Sequence, residues 1–245
     1  PSPNAQYDAL KFADAQQTGK QFPPPPATMA LEVLLDRLGF SSGVIDGKAT
    51  RFDKLALRGF QSANGLTETG ELDEPTRAAL ARSGDVPATR MVQIPEAVAK
   101  GPFVPDLPRA TSKQVGYDEL GYRDLMEALA ERFHTTPETI VALNDPAIKL
   151  GAGAVIRVPN VADVDSATLP KDERGWNRTL VSLAVSPTQL EASKIVVDKS
   201  DGALRAYDAS GKLLAQFPAT MGSQHDPLPI GEWKIQGVSR NPDYH

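Results

Sequence analysis

Two rhythms of hydrophobic residues run along this chain, a helical one through its first two thirds and an alternating one near its end. Leu31, Leu34, Leu35 and Leu38 recur at i, i+3, i+4 and i+7, the spacing that lays an apolar stripe along one face of a helix. Thr28 is placed to cap that helix and Gly39 to end it. Beyond a turn from Gly43 to Gly47, a second helix should turn Ala56, Leu57, Phe60 and Ala63 inward and close near Gly65. Asp73 caps a third short helix through Thr76, Ala79 and Leu80, with Pro75 in its first turn. Further on, Leu125, Met126, Leu129, Ala130 and Phe133 form another helical stripe. Thr136, Pro137 and Glu138 read as N-cap, N1 and N2 of a helix carrying Ile140, Val141 and Leu143 and stopped by Asn144. Gly151 and Gly153 then precede a short strand with Val155, Ile156 and Val158.

From Ser193 the period falls to two. Ile195–Val197, Leu204–Tyr207 and Leu213–Phe217 read as three strands of an antiparallel meander, joined by turns at Lys199–Gly202 and Asp208–Gly211. After a turn at Pro227–Gly231, the alternation of Trp233, Ile235 and Val238 predicts one more strand.

Prolines punctuate these stretches. The run Pro23–Pro26 reads as a stiff extended lead-in. Pro87, Pro95, Pro102, Pro105 and Pro108 interrupt a stretch with no sustained apolar period. The expected organisation is an N-terminal extension at 1–26, a helical block at 27–83, a Pro-rich linker at 84–114, an α/β block at 115–160, a connector at 161–187 anchored by Trp176, and a strand block at 188–245. The fold class is multidomain α+β.

Composition removes several function classes. A net charge of −5 without a long basic run argues against an electrostatic nucleic-acid footprint. No apolar run approaches a membrane span. There is no cysteine, and His134, His225 and His245 lie far apart, so neither a disulfide framework nor a thiolate or HExxH metal site is expected. No cofactor is expected. A Gly-x-Ser-x-Gly elbow is absent, which disfavours a serine hydrolase, and nothing in the third block suggests a muramidase or amidase. A first residue of Pro1 rather than Met suits a processed or trimmed secreted protein, and a cloning choice would look the same.

The motifs carry three resemblances. Leu38-Gly39-Phe40, Asp46-Gly47, Phe60-Gln61, Gly65-Leu66, Thr69-Gly70 and Thr76–Leu80 follow, in order and spacing, the peptidoglycan-binding type 1 domain, a small three-helix bundle. The sequence departs from that pattern after Asp46-Gly47, where Ala49, Thr50, Arg51 and Asp53 stand in place of Phe-Gly-Pro and Thr. Most of these residues have a structural role. Phe60 fills a core, the glycines permit turns and Asp46 bonds turn backbone. Family membership implies a glycan or stem-peptide ligand, with Asp46, Gly47 and Gln61 as the candidate contacts.

Leu129–Phe133, Leu143-Asn144, Leu150–Gly153 and Ile156–Pro159 resemble the LysM module, which binds N-acetylglucosamine polymers in a shallow groove. Leu120-Gly121-Tyr122-Arg123 replaces the usual Gly-Asp-Thr-Leu of its first strand. The resemblance leaves Gly121, Tyr122 and Asn144 as candidate sugar contacts.

Ile195–Val197, Leu204–Tyr207, Gly211, Phe217–Gly222 and Pro229–Ile235 resemble the opening of the L,D-transpeptidase (YkuD-like) fold, with Leu228 in the place of a Thr. That family has a β-sandwich core, of which these strands would be the start. It implies acyl transfer from a peptidoglycan stem peptide through a Cys thioester, with a His base and Cys in a later Ser-x-Gly-Cys-x-Arg segment. The 245 residues contain no such segment and are expected to be inactive, the complete protein being the transpeptidase. The family's base lies closer to that segment, so His245 is expected to line the site rather than act as base. His225, beside Asp226 in a turn, reads as a solvated His. An unfinished sheet should expose an edge and an apolar face, to be covered by missing residues or another chain. The expected partner is peptidoglycan, both glycan strands and stem peptides, and the expected compartment is the periplasm of a Gram-negative bacterium. The rival expectation is a non-catalytic peptidoglycan-binding anchor.

Overall fold

In a computed structural model of the chain, residues 4–16, 22–115, 117, 120–171 and 175–238 are described. The first stretch forms α1 (Ala5–Asp8) and β1 (Ala13–Asp14), followed by α2 (Ala27–Arg37), α3 (Arg51–Ala63) and α4 (Glu74–Ala81). The middle of the chain gives β2 (Thr89–Gln93), α5 (Glu96–Lys100), α6 (Leu125–Arg132), α7 (Pro137–Leu143), β3 (Val155–Pro159) and α8 (Trp176–Ser182). The last elements are β4 (Lys194–Asp198), β5 (Ala203–Tyr207) and β6 (Leu213–Pro218). The protein is a multidomain α+β chain with two antiparallel three-stranded sheets. Among the described residues no helix is long and apolar enough to cross a membrane.

The chain divides into two compact units, and both are discontinuous in sequence. One combines Pro25–Ala88 with Gln189–Gln236. Its helices begin where local chemistry favours a start. Thr50 caps α3 in a reciprocal capping box: the Phe52 N–H donates to Thr50 Oγ1 at 3.1 Å, and the Thr50 N–H donates to Asp53 Oδ2 at 2.5 Å. The departure from the family pattern at 49–53 is therefore a helix start. Asp73 caps α4 through the Thr76 N–H at 3.0 Å, as expected. The start of α2 differs from expectation. Pro26 is its N-cap and Thr28 lies inside the first turn, because the extended Pro26 already sets the entry direction without a side-chain cap. Leu35, Phe40, Ala56, Leu57, Phe60, Ala79 and Leu80 make the core, with Phe40 and Phe60 packed edge to face at 5.9 Å between centroids.

The sheet of this unit has the order β4-β5-β6, and its register sorts side chains onto two faces. Tyr207, Arg205 and Gln216 share one face with Leu213, and Leu213 and Tyr207 enter the core of the helical bundle. Ile195, Val197, Leu204 and Phe217 share the other face, where Ile195, Val197 and Phe217 are exposed. The bundle and the sheet thus share a core although about a hundred residues separate them in sequence. The strand expected around Trp233, Ile235 and Val238 does not form. Their side chains are 75–82% exposed, and alternation alone does not make a strand where, among the described residues, no backbone pairs with it.

The other unit is built from the described residues of 1–24, 89–188 and 237–245. Its sheet has the order β1-β2-β3, with β2 in the middle. Thr89–Gln93 pairs antiparallel with β3 over Thr89↔Pro159 to Gln93↔Val155, and Ala13 and Asp14 pair on its other edge. The strand that completes the sheet beside β3 therefore comes from the Pro-rich stretch. Residues Leu120–Arg123, which occupy the place of the LysM first strand in sequence, form no strand. β2 has a weak pattern because Thr89, Arg90 and Gln93 leave only Met91 and Val92 as an apolar signal. Val92, Ile94, Leu129, Phe133, Ile140, Leu143, Ile156 and Val158 are buried around this sheet and its helices. Phe12 joins them, edge to face with Phe133 at 5.0 Å. A second small core gathers Tyr7, Val164, Leu169, Leu180 and Val181, with Trp176 packed against it in α8.

Candidate functional site

The sequence-predicted contacts fall in three places. Gln61, on α3, is fully buried and acts as a structural hub. Its Nε2 donates to Thr69 Oγ1, Glu71 O and Thr76 Oγ1 at 2.8–3.0 Å, and its Oε1 accepts the Gly70 N–H at 2.8 Å. A side chain so completely used ties the Thr69-Gly70 turn to α4 and leaves no atom for a ligand. Asp46 caps its own turn through the Lys48 N–H at 2.9 Å and pairs with Lys48 Nζ at 3.1 Å. Gly47 takes φ +75°, and a Cβ there would lie 2.6 Å from the Pro26 ring. Only glycine combines that backbone with that contact. Asp46 and Gly47 are neighbours on one loop, whereas Gln61 is not presented beside them.

Glu32, on α2, belongs to no motif of the sequence. It is almost fully buried and accepts the Gly47 N–H at 2.8 Å. Burial pushes its carboxyl up to about 7, assisted by the negative charges of Asp53 and Asp46, while the Gly47 bond pulls the other way. Its sequence position gives no hint, since Glu32 sits beside Leu31 in a helix whose polar face would ordinarily be solvated.

In the other unit, Asn144 is buried and occupied. Its Nδ2 donates to Ile140 O and Arg157 O, each at 2.7 Å, and its Oδ1 accepts the Arg157 N–H at 2.7 Å. It joins the end of α7 to β3. Gly121 and Tyr122 instead line a cavity of about 170 Å³. Phe12, Phe103, Val98 and Val181 supply apolar wall, and Arg132 and Arg178 supply positive charge. Burial raises the Tyr122 hydroxyl above the ordinary phenol range, with Glu131 and Glu127 adding to the effect. Gly121 and Tyr122 are thus brought together, and Asn144 is not part of that cavity.

Arg132 is the unexpected member. It ends α6 and is 4% exposed. Its guanidinium lies 4.9 Å from the Phe133 ring centre and 5.5 Å from that of Phe12. Nη2 donates to Asp163 Oδ1 at 2.7 Å, and Asp163 also accepts from Arg90 Nη2 at 3.0 Å. Burial raises the Asp163 carboxyl, but the charges of Arg132 and Arg90 outweigh it and hold it below the usual range. Arg132 Nη1 is buried and has no hydrogen-bond partner among the described residues. Such a donor costs about 1–3 kcal/mol when nothing fills its place. A charged residue beside Phe133 reads in sequence as a helix's solvated face, so nothing there marks it.

On the third block, His225 is exposed in a turn where its own N–H and that of Asp226 donate to Ser223 Oγ at 3.2 and 3.0 Å. His245 lies outside the described residues. Among the described residues no group of three or more His, Cys, Asp or Glu side chains is arranged to hold a metal ion.

Comparison with protein families places these features. A family model described as putative peptidoglycan binding domain matches residues 25–80, the α2–α4 bundle. A second, described as L,D-transpeptidase catalytic domain, matches residues 192–245, which begin at the β4–β6 sheet. Comparison with curated proteins gave no match. The chain therefore carries a peptidoglycan-binding type 1 domain at 25–80 and a YkuD L,D-transpeptidase catalytic-domain segment at 192–245.

Proposed function

We propose that the protein forms cross-links or protein attachments in peptidoglycan by L,D-transpeptidation through a Cys thioester. The observation that carries this reading is the coincidence of the catalytic-domain match with a three-stranded antiparallel sheet in the expected order. In that chemistry a His takes the Cys thiol proton, the thiolate attacks the carbonyl that precedes the tetrapeptide's last residue while backbone N–H groups hold the oxyanion, and that peptide bond breaks as the His returns the proton to the departing amine. The thioester then passes its acyl group to an amine of a second stem. The 245 residues hold no cysteine, so on this reading they supply wall recognition and part of the catalytic domain's scaffold but no acylation step.

Recognition is assigned to Asp46 and Gly47 in the bundle and to Gly121 and Tyr122 in the other unit. Asn144 and Gln61 drop out as contacts because their polar atoms are used internally. A LysM-like reading of the second unit is supported by the order β2, α6, α7, β3 with antiparallel outer strands, and departs from the family pattern in the long insertion between β2 and α6. Two weak contacts on one polymer would reinforce each other through effective concentration. The periplasm of a Gram-negative cell is the compartment this reading requires.

A second reading, a non-catalytic wall anchor, rests on the peptidoglycan-binding domain match at 25–80 taken alone. The encoding frame and the intact mass of the protein from its own cell separate the two. A Ser-x-Gly-Cys-x-Arg segment, with an acyl mass adduct after exposure to a tetrapeptide muropeptide, supports the enzyme. A frame without it leaves the anchor, which must still sediment with purified sacculi.

A further inference from the structure

Glu32 is a buried acid that the fold places behind the loop assigned to recognition. That loop joins α2 to α3, carries Asp46 and Gly47, and is held at three points. Ile45, 1% exposed, fixes its first half. The Thr50–Asp53 capping box fixes its end at the start of α3. Between them the Gly47 N–H donates to Glu32 Oε2 at 2.8 Å, which ties the middle of the loop to α2. The N–H belongs to the Asp46–Gly47 peptide, which is planar and trans. Turning that N–H toward Glu32 therefore turns the Asp46 carbonyl away from it. Glu32 thus sets the direction of a polar group on the loop without being part of the loop's surface. Gly47 has little freedom to compensate, since a Cβ there would meet the Pro26 ring and its φ is +75°.

The acceptor of this bond changes charge near neutral pH. Burial pushes the Glu32 carboxyl up to about 7, and the Asp46 and Gly47 N–H groups pull the other way. The charges that act on it from the elements packed around it are both negative: Asp53 on α3, and Asp46 on the loop, which also pairs with Lys48 Nζ at 3.1 Å. Pro26, on the lead-in, brings no charge. A shut loop keeps Glu32 dry, whereas an open loop hydrates it and returns it toward its ordinary 4.5. The protonated acid still offers a carbonyl oxygen to the Gly47 N–H. The shut loop is therefore favoured at low pH and loses ground as pH rises through about 7. Between pH 6 and pH 8 the ratio of open to shut loop should grow about tenfold.

We infer that Glu32 is a positioning residue for wall recognition, holding the Asp46–Gly47 peptide in the orientation that meets the polymer and releasing it on ionisation. Glu32 touches no ligand and acts only through the loop. The inference rests on the assignment of recognition to Asp46 and Gly47.

The full chain is examined at pH 6 and pH 8 in two ways. Hydrogen exchange of the Gly47 amide, corrected for the pH dependence of the intrinsic rate, reports the loop itself. Sedimentation with purified sacculi reports recognition. In the parent, Gly47 protection should fall about tenfold from pH 6 to pH 8. Sacculus binding should weaken several-fold over the same range. Glu32→Gln keeps an acceptor and cannot ionise, so its protection and its binding should be the same at both pH values. Comparison with E32Q removes any pH effect of the sacculi or of the other unit. Glu32→Leu, which lacks the acceptor, should bind weakly at both, and E32Q carries the test where that variant does not fold. Gly47 protection that does not change with pH, or binding with the same pH dependence in parent and E32Q, overturns the proposal and leaves the wall reading standing. No sedimentation of the parent at either pH overturns the proposal through the reading it rests on. The exchange data distinguish that failure, because they depend on no ligand.

Discussion

The two units treat their buried polar groups in opposite ways. In the bundle-and-sheet unit, Gln61 and Gln216 are buried with both ends of their amides engaged. Gln216 donates from Nε2 to Leu55 O at 2.6 Å and accepts from Arg205 Nε at 2.8 Å. Its backbone bridges to Gly39 and Ser41 at 2.9 and 3.0 Å. In the other unit Arg132 is almost as deeply buried, yet its Nη1 has no partner among the described residues. The satisfied amides hold one arrangement of backbone and have nothing left to offer a ligand. The unsatisfied guanidinium nitrogen instead carries the cost of a buried donor left unpaired. A motif residue can thus be wholly structural, with every polar atom used inside the fold.

The largest effect that would sharpen this contrast is at Gln61. Gln61→Leu keeps the volume but strands the Gly70 N–H and removes three acceptors' shared donor. The expected loss is about 3 kcal/mol, from one or two buried polar groups left unpaired. Urea unfolding at neutral pH measures it, and a change below about 0.5 kcal/mol would show that the network does not hold the bundle. Asn144→Leu should behave similarly in the other unit, because Asn144 is also fully engaged.

Next in size is the joint between bundle and sheet. Gly59 lies inside α3, where glycine normally costs about 0.5–1 kcal/mol relative to alanine. Its retention has a local cause: a Cβ there would stand 2.8 Å from the Gln216 side-chain amide. Gly59→Ala should therefore destabilise by about 1–2 kcal/mol despite its better helix propensity. Gln216→Ala makes room for that Cβ, so the double variant should recover part of the loss, and a thermal-melt double-mutant cycle reads the coupling. Additive losses would mean that the amide and the glycine do not meet in solution.

The sequence makes these features legible to different degrees. The bundle is readable because its apolar residues keep a helical period and Asp73 and Gly47 have local roles that need no tertiary knowledge. Strands β4–β6 are readable from alternation and the turn residues between them. β2 is not, since an edge-to-edge pairing with β3 some sixty residues away outweighs its weak local signal. The strand around Trp233 fails in the reverse sense: it has the local pattern and, among the described residues, no pairing strand. Of the candidate contacts, Gly121 and Tyr122 do line a cavity, whereas Gln61 and Asn144 prove internal. Glu32, Gln216 and Arg132 carry no local signal, because what distinguishes each is a neighbour remote in sequence.

The smallest predicted effect concerns the buried carboxyl of the bundle whose pKa is raised. Glu32 is held near 7 in the folded protein against an ordinary value of 4.5, chiefly by burial. Between those two values the folded state keeps a proton that the unfolded chain has released. Its contribution to stability is therefore fully present below about pH 4.5 and is lost as pH rises through about 7. After allowance for screening the loss amounts to about 1–2 kcal/mol. Glu32→Gln keeps an oxygen for the Gly47 N–H at every pH and carries no proton to lose. It should match the parent near pH 4.5 and exceed it by about 1 kcal/mol at pH 8, measured by urea unfolding across that range. The parallel loss of stability in parent and variant would mean that water reaches Glu32 freely. Glu32 would then be a hydrated carboxylate rather than a buried one, and this unit's side of the comparison would rest on its buried glutamines alone.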